Sequence, residues 1–154
     1  MKNRELFNLY QGLKSVGNLT GITFVYSVNK NLRIVGAELE ILKESNKPSE
    51  KFAEFLRKQE DIVRKYAKKG EDSNFIITNG SYDIKGSEKE VTEEVTPLRE
   101  EYKETLETRE TQEKSYQELL EKESDVKLYM VKKEDLPKEI TGDQMASIFD
   151  IIEE

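Results

Sequence analysis

The chain has no cysteine and no histidine among its 154 residues. Thiol and imidazole chemistry, disulfide frameworks and most zinc, iron and copper sites are thereby excluded, because those sites draw their ligands from these two residue types. No stretch approaches the roughly 20 consecutive apolar residues that a membrane span requires. The first residues lack the apolar core of a signal peptide, so the cytosol is the expected compartment. Apolar residues are scarce at 35%, against 37% charged, which favours long, solvent-covered helices over a thick globule. The length suits one domain, residues 1–154, with a modest core.

What the chain has in abundance is charge, and it is unevenly spread. Residues 1–70 carry 14 basic and 8 acidic side chains, whereas residues 87–125 carry 6 basic and 14 acidic ones, within a net charge of -7. Such a split can draw two parts of one chain together or serve separate partners.

The hydrophobic period changes along the chain. Leu6, Leu9, Leu13 and Val16 predict a helix over 3–16 capped by Asn3, with Gly12 a weak spot inside it. Residues 22–35 are rich in β-branched residues, and Asn29-Lys30-Asn31 would suit a hairpin turn. However, Val25, Val28, Leu32, Val35, Leu39 and Leu42 step by three and four, which a strand of period two cannot present on one face; a helix over 22–45 is expected. Ser49 is placed to cap a third helix over 49–69, with Phe52, Phe55, Leu56, Ile62, Val63 and Tyr66 on its apolar side. Asn79-Gly80 between Phe75–Thr78 and Ser81–Ile84 signals a hairpin over 75–85. A lone hairpin is marginal in water, and residues 126–131 are the expected third strand.

An acidic helix over 88–122 should break near Pro97, with Thr96 as the cap of its second part. Its middle, Thr108 to Ser115, has no large apolar side chain and should project into solvent or meet a polar partner. Thr141 and Gln144 form a capping-box pattern for a last helix over 142–152. An apolar helix of that kind must dock on its own core or on a second subunit, so a homo-oligomer is one expectation. The resulting fold class is α+β: mostly long antiparallel helices with a small antiparallel sheet.

Motifs for chemistry are missing. There is no glycine-rich phosphate loop, nucleophile elbow or dinucleotide fingerprint. Glu93 and Glu94 with Glu100 and Glu101 offer carboxylates for magnesium, but no Asp-x-Asp pattern sharpens them into a site, and solvent-facing glutamates are the ordinary reading. The chain is therefore expected to be no enzyme, with no cofactor and no metal. A basic stretch, including Lys51, Arg57, Lys58, Arg64, Lys65, Lys68 and Lys69, is interleaved with Glu50, Glu54, Glu60 and Asp61. That interleaving favours local i,i+4 pairs, so nucleic acid is an unlikely ligand there, while a small anionic nucleotide would need a concave pocket with Tyr66 or Tyr82. As surfaces for a protein partner, the glutamates Glu100, Glu104, Glu107 and Glu110 come first and Arg57, Arg64 and Lys68 second.

Three groups of residues carry a resemblance to known proteins. They are the opening Met1–Leu6 with Gly21–Asn31, then Arg99–Lys103 with Tyr116–Leu120, and finally Glu134–Pro137 with Ile140–Met145. Together they resemble a family of small uncharacterised phage and prophage proteins of Gram-positive bacteria. The resemblance extends over nearly the whole chain, although its motifs are helix and loop patterns. It implies a bacteriophage accessory protein in the host bacterial cytoplasm, with no assigned catalytic residues, and a helix over 22–45. Such a protein would act by stoichiometric binding, inhibiting a host defence protein or sequestering a signalling nucleotide. The alternative is a morphogenesis or assembly factor or a minor structural protein.

Overall fold

A computed structural model describes residues 1–153. The fold is α+β and mostly helical, with one small two-stranded antiparallel sheet. Where one domain is expected from the length, the residues gather into two compact units: residues 1–47 with 114–154, and residues 48–113. We call them the outer and inner units from their places in the sequence.

In the outer unit, α1 (Glu5–Ser15) and α2 (Ile22–Ser45) pack together. α1 buries Leu6, Leu9 and Leu13 as its period demands. Asn3 does not cap it. The side-chain amide of Asn3 instead donates to the carbonyl of Leu119 at 2.9 Å, and the backbone N–H groups of Asn3 and Arg4 donate to Lys122 and Leu120. These carbonyls lie at the end of α5 (Lys103–Glu121), where a helix leaves its last acceptors unpaired, so the first residues of the chain cap another helix. Lys2 and Arg4 both pair with Glu121 at the same end, at 2.7 and 2.6 Å.

α2 is one unbroken helix, which settles the choice over residues 22–35. Its buried stripe is Phe24, Val28, Val35, Leu39 and Leu42, with Ser27 and Asn31 among them; Val25 and Leu32 lie at the edge. Gly12 faces the short helix α6 (Gly142–Ser147), where a Cβ on residue 12 would stand 2.1 Å from the carbonyl oxygen of Ser147. The glycine that weakens α1 locally is what allows the two backbones to meet.

The helix expected over 142–152 is shorter. The capping box of Thr141 and Gln144 starts α6, but α6 stops at Ser147 and a 3₁₀ turn follows over Phe149–Ile151. Beyond it the chain is extended and bridges Val131 in parallel: the Val131 N–H donates to Ile151 at 2.6 Å and the Glu153 N–H to Val131 at 2.8 Å. Ile148, Ile151 and Ile152 dock in the unit's own core.

Residues 126–131 are likewise not the third strand of the hairpin. They run extended in the outer unit, and two of their backbone groups are satisfied by a side chain. The amide of buried Asn31 donates to the Tyr129 carbonyl and accepts from the Tyr129 N–H, both at 2.8 Å.

The inner unit packs α3 (Glu50–Tyr66) on α4 (Glu88–Glu101) around Phe55, Leu98 and Tyr102, with Phe52, Ile62 and Leu106 alongside. Ser49 caps α3 by accepting from the Phe52 N–H at 3.2 Å. α3 ends at Tyr66 rather than running to residue 69, and Leu56 is exposed rather than packed. The residues released from α3 serve the hairpin β1 (Ile77–Thr78) and β2 (Ser81–Tyr82), whose turn has φ of 51° at Asn79 and 79° at Gly80. Lys68 donates its N–H to Asp83 and accepts from Ile76, and Lys69 bridges Phe75, so the extra partner comes from the segment just before the hairpin.

Pro97 does not break the acidic helix. It lies inside α4, and Thr96 turns its hydroxyl back to the carbonyl of Thr92 rather than capping. The interruption falls at Tyr102, buried between α4 and α5 with φ -102° and ψ 16°. α5 starts in the inner unit and ends in the outer one, and no described residue of it is buried.

Candidate functional site

The basic face predicted on α3 is largely engaged within the inner unit. Arg64 pairs with Glu60 at 3.1 Å and donates through Nε to the Tyr82 hydroxyl at 2.8 Å; its guanidinium lies 5.9 Å from the Phe75 ring and 5.6 Å from the Tyr82 ring. The Tyr82 hydroxyl, foremost, holds the Arg64 pKa above its ordinary value. The backbone of Lys68 is tied into the hairpin. Arg57 stays exposed on α3. These three residues therefore do not form one open cationic patch.

The other cations of α3 reach the acids of α4. Lys58 donates to the Tyr102 hydroxyl at 2.7 Å, which in turn donates to Glu54 at 2.8 Å, and Lys58 also pairs with Glu54 and Glu101. The Tyr102 hydrogen bond, then Glu54, drives the Lys58 pKa up, while Tyr102 and Lys58 hold the Glu54 carboxyl down. Farther along, Lys65 pairs with Glu94 at 2.8 Å and the Tyr66 hydroxyl donates to the same carboxylate, so Glu94 is held low by Lys65 first and Tyr66 second. The opposite charges seen in the sequence thus meet across α3 and α4.

The predicted acidic row is placed differently. Glu100, Glu104, Glu107 and Glu110 are all exposed, at the end of α4 and along the first turns of α5. They do not converge on a single cavity. Glu100, Glu107 and Glu110 border an open hollow of about 430 Å³ that also holds Arg99, Lys103 and Arg109. Glu104 borders another hollow of about 430 Å³ with Ser49, Lys51 and Thr108. Among the described residues, Glu100, Glu104 and Glu107 have no basic side chain paired with them, in contrast to Glu54, Glu60 and Glu94. Arg109 is held over the Phe52 ring at 5.7 Å and pairs with Glu113.

A second surface, in the outer unit, was not singled out by sequence patterns. Tyr26 and Tyr129 meet edge to face, with ring centroids 6.3 Å apart. The Lys30 ammonium sits 5.7 Å from the Tyr26 centroid and 5.2 Å from that of Tyr129. Beside them Tyr26, Asn29, Lys30 and Arg33 line a notch of about 130 Å³. Asn29 is fixed by donating to the Val25 carbonyl at 2.9 Å. One signal was available: neither Ile22–Ala37 nor Val126–Lys133 contains an acidic residue, in a chain of net charge -7.

Among the described residues no group of three or more acidic side chains is placed to hold a metal ion, and no helix is long and apolar enough to cross a membrane. No family model, curated protein or solved structure matches the chain.

Proposed function

We propose that the protein is a bacteriophage accessory protein that works without catalysis, binding a protein partner of the host stoichiometrically through the acidic row of α4 and α5. One observation carries this reading. α5 fully buries none of its described side chains, and Glu100, Glu104 and Glu107 are left without internal cations while Glu54, Glu60, Glu94 and Glu101 of the same unit are paired. One side of α5 is partly buried through Leu106, Tyr116, Leu119 and Leu120, which leaves its glutamates Glu104 and Glu107 at exposed positions. A row of carboxylates at helical spacing suits a basic partner surface, attracting it at long range and setting its register. The assignment to phage and to the host cytoplasm rests on the sequence resemblance alone.

Affinity capture from infected host cells, with bound proteins identified by mass spectrometry, supplies the partner. Titration of the purified partner against the triple variant Glu100→Lys, Glu104→Lys, Glu107→Lys then tests the surface. The expected result is a fall in affinity of about tenfold or more, with a shallower dependence on salt. Equal affinity of variant and wild type overturns the assignment to this face. Recovery of virion components in place of a host protein replaces inhibition with an assembly role.

A further inference from the structure

The notch in the outer unit sets cations without carboxylate partners beside two exposed tyrosine rings. Some cations elsewhere in this unit are partnered: Lys2 and Arg4 by Glu121, Lys43 by Glu40, Lys132 by Glu134, and Lys14 stands over the Tyr10 ring. Among the described residues, Lys30 and Arg33 pair with no carboxylate. They lie with Tyr26 on one side of α2, at spacings of four, three and seven that a helix brings into register. Lys127 stands two residues before Tyr129 on the exposed side of the same extended segment, whose burial alternates from Val126 to Tyr129.

Two aromatic side chains complete the surface. Tyr26 and Tyr129 stay 56% and 44% exposed although they touch each other, and each leaves ring area facing solvent. Their placement is rigid. Asn31 grips both backbone polar groups of Tyr129, so the extended segment cannot slide along α2 without leaving the buried amide of Asn31 unpaired.

Unpaired cations beside exposed aromatic faces are what a nucleotide unit requires: charge for its phosphate and a flat surface for its base. The notch, about 130 Å³, has the volume of some four water molecules at ~30 Å³ each. That admits a phosphate group but encloses no whole nucleotide, so a single free nucleotide would gain little burial here. A strand gains from repeated contacts along an open surface.

We propose that this notch is a binding site for single-stranded nucleic acid, with a backbone phosphate against Lys30 and Arg33 and a base stacked on Tyr26 or Tyr129. The site is independent of the acidic row and of the protein partner assigned to it. The nucleic-acid contact therefore falls on α2 and not on the basic stretch of α3, where Lys58, Arg64 and Lys65 already pair with carboxylates.

Fluorescence anisotropy of a labelled oligothymidylate with the full chain at low ionic strength tests the site. Wild type should bind, with affinity falling as salt rises. Tyr26→Ala should weaken binding about five- to hundredfold with the salt dependence unchanged, the loss of one stacked base. Lys30→Gln with Arg33→Gln should weaken it and also flatten the plot of log affinity against log salt by about 1.4, the slope that two phosphate contacts to a single strand contribute. All these side chains reach the surface, so the variants should keep the wild-type melting midpoint, and a variant that does not is replaced by Lys30→Glu alone. Absence of binding by wild type, or binding that none of these variants alters, overturns the site. Thymidine monophosphate competing as well as the strand overturns the strand reading in favour of a free nucleotide. Binding to phosphatidylglycerol vesicles without binding to the oligonucleotide overturns it in favour of a lipid surface.

Discussion

The two units hold themselves together by different physics. The outer unit has a broad apolar core in which Phe24, Leu6, Leu13, Ile148 and Ile151 are fully buried, and it places one polar side chain, Asn31, at the centre. The inner unit has few buried side chains around Phe55, Leu98 and Tyr102, and it surrounds them with belts of ion pairs and tyrosine hydroxyls at the surface. Burial of apolar area is insensitive to pH and salt, whereas exposed pairs contribute little each and are screened. This difference also sorts the candidate surfaces. In the inner unit Lys58 and Lys65 are engaged in joining α3 to α4 while Glu100, Glu104 and Glu107 are left over; in the outer unit the core does the holding, and Lys30 and Arg33 stand unpaired beside two tyrosine rings.

The largest effect is expected at Asn31, the most deeply buried polar side chain of the outer unit. Asn31→Ala removes both hydrogen bonds to Tyr129, leaves its part-buried N–H and carbonyl unpaired and opens space where the fully buried amide stood, a loss of about 3 kcal/mol. Denaturant unfolding of the variant measures it, and amide exchange should show the 126–131 segment opening first. A loss under about 1 kcal/mol would mean that water replaces the amide, and the outer unit would be less dry than its burial indicates.

Gly12→Ala comes next. Its Cβ would meet the backbone of Ser147, so α6 must move away from α1, at a cost of about 2 kcal/mol after the gain in helix propensity. The check is again the unfolding midpoint, with Gly142→Ala as control: a Cβ there meets nothing within 4 Å and should not destabilise. A stabilised Gly12→Ala variant would mean that the two backbones do not stay in contact.

How much of this was legible in the sequence depends on how local the cause is. The caps at Ser49 and Thr141, the Asn79-Gly80 turn and the helix of α2 follow from neighbouring residues, and all are present. The exposure of Glu100, Glu104, Glu107 and Glu110 follows from their local charge, although the row is divided between the end of α4 and the start of α5. Pro97 misled because proline suits a first turn, yet here the adjoining residues Val95 and Leu98 are both buried and hold the helix through it. The extended pattern of 126–131 was also readable, but its partner was not. A strand-like segment needs its backbone groups satisfied, and nothing in the pattern says that an asparagine side chain 98 residues away does so. The Tyr26–Tyr129 notch was hidden behind that same long-range contact.

A smaller effect should come from the inner unit's belt. Tyr102→Phe keeps the buried ring and removes the hydroxyl that links Lys58 to Glu54, both of which are nearly half exposed. The expected loss is about 0.5–1 kcal/mol, discounted for that exposure. A loss as large as that of Asn31→Ala would show that the belt, and not the apolar cluster, is what holds α3 to α4.

The last prediction changes no residue and separates the two mechanisms by solvent alone. Glu54 and Glu94 are held below their ordinary carboxyl pKa of 4.5 by Tyr102 and Lys58 in one case and by Lys65 and Tyr66 in the other. A depressed carboxyl stabilises the fold above its unfolded value, and that contribution disappears as pH falls through the folded one. The inner unit should therefore loosen between about pH 4.5 and the acid end of the titration, and high salt at neutral pH should weaken the same contacts by screening. In the outer unit the depressed carboxyls are Glu121, lowered by Lys2 and Arg4, Glu123, lowered by the N-terminal ammonium, and Glu139, lowered by Thr20, and none of them pairs with a residue of α2. Amide exchange at pH 4 and at neutral pH, with and without salt, should accordingly show α3 and α4 losing protection while the middle of α2 keeps it. Equal loss in both would mean that the surface belts contribute no more to one unit than to the other, and the contrast between them would reduce to core size.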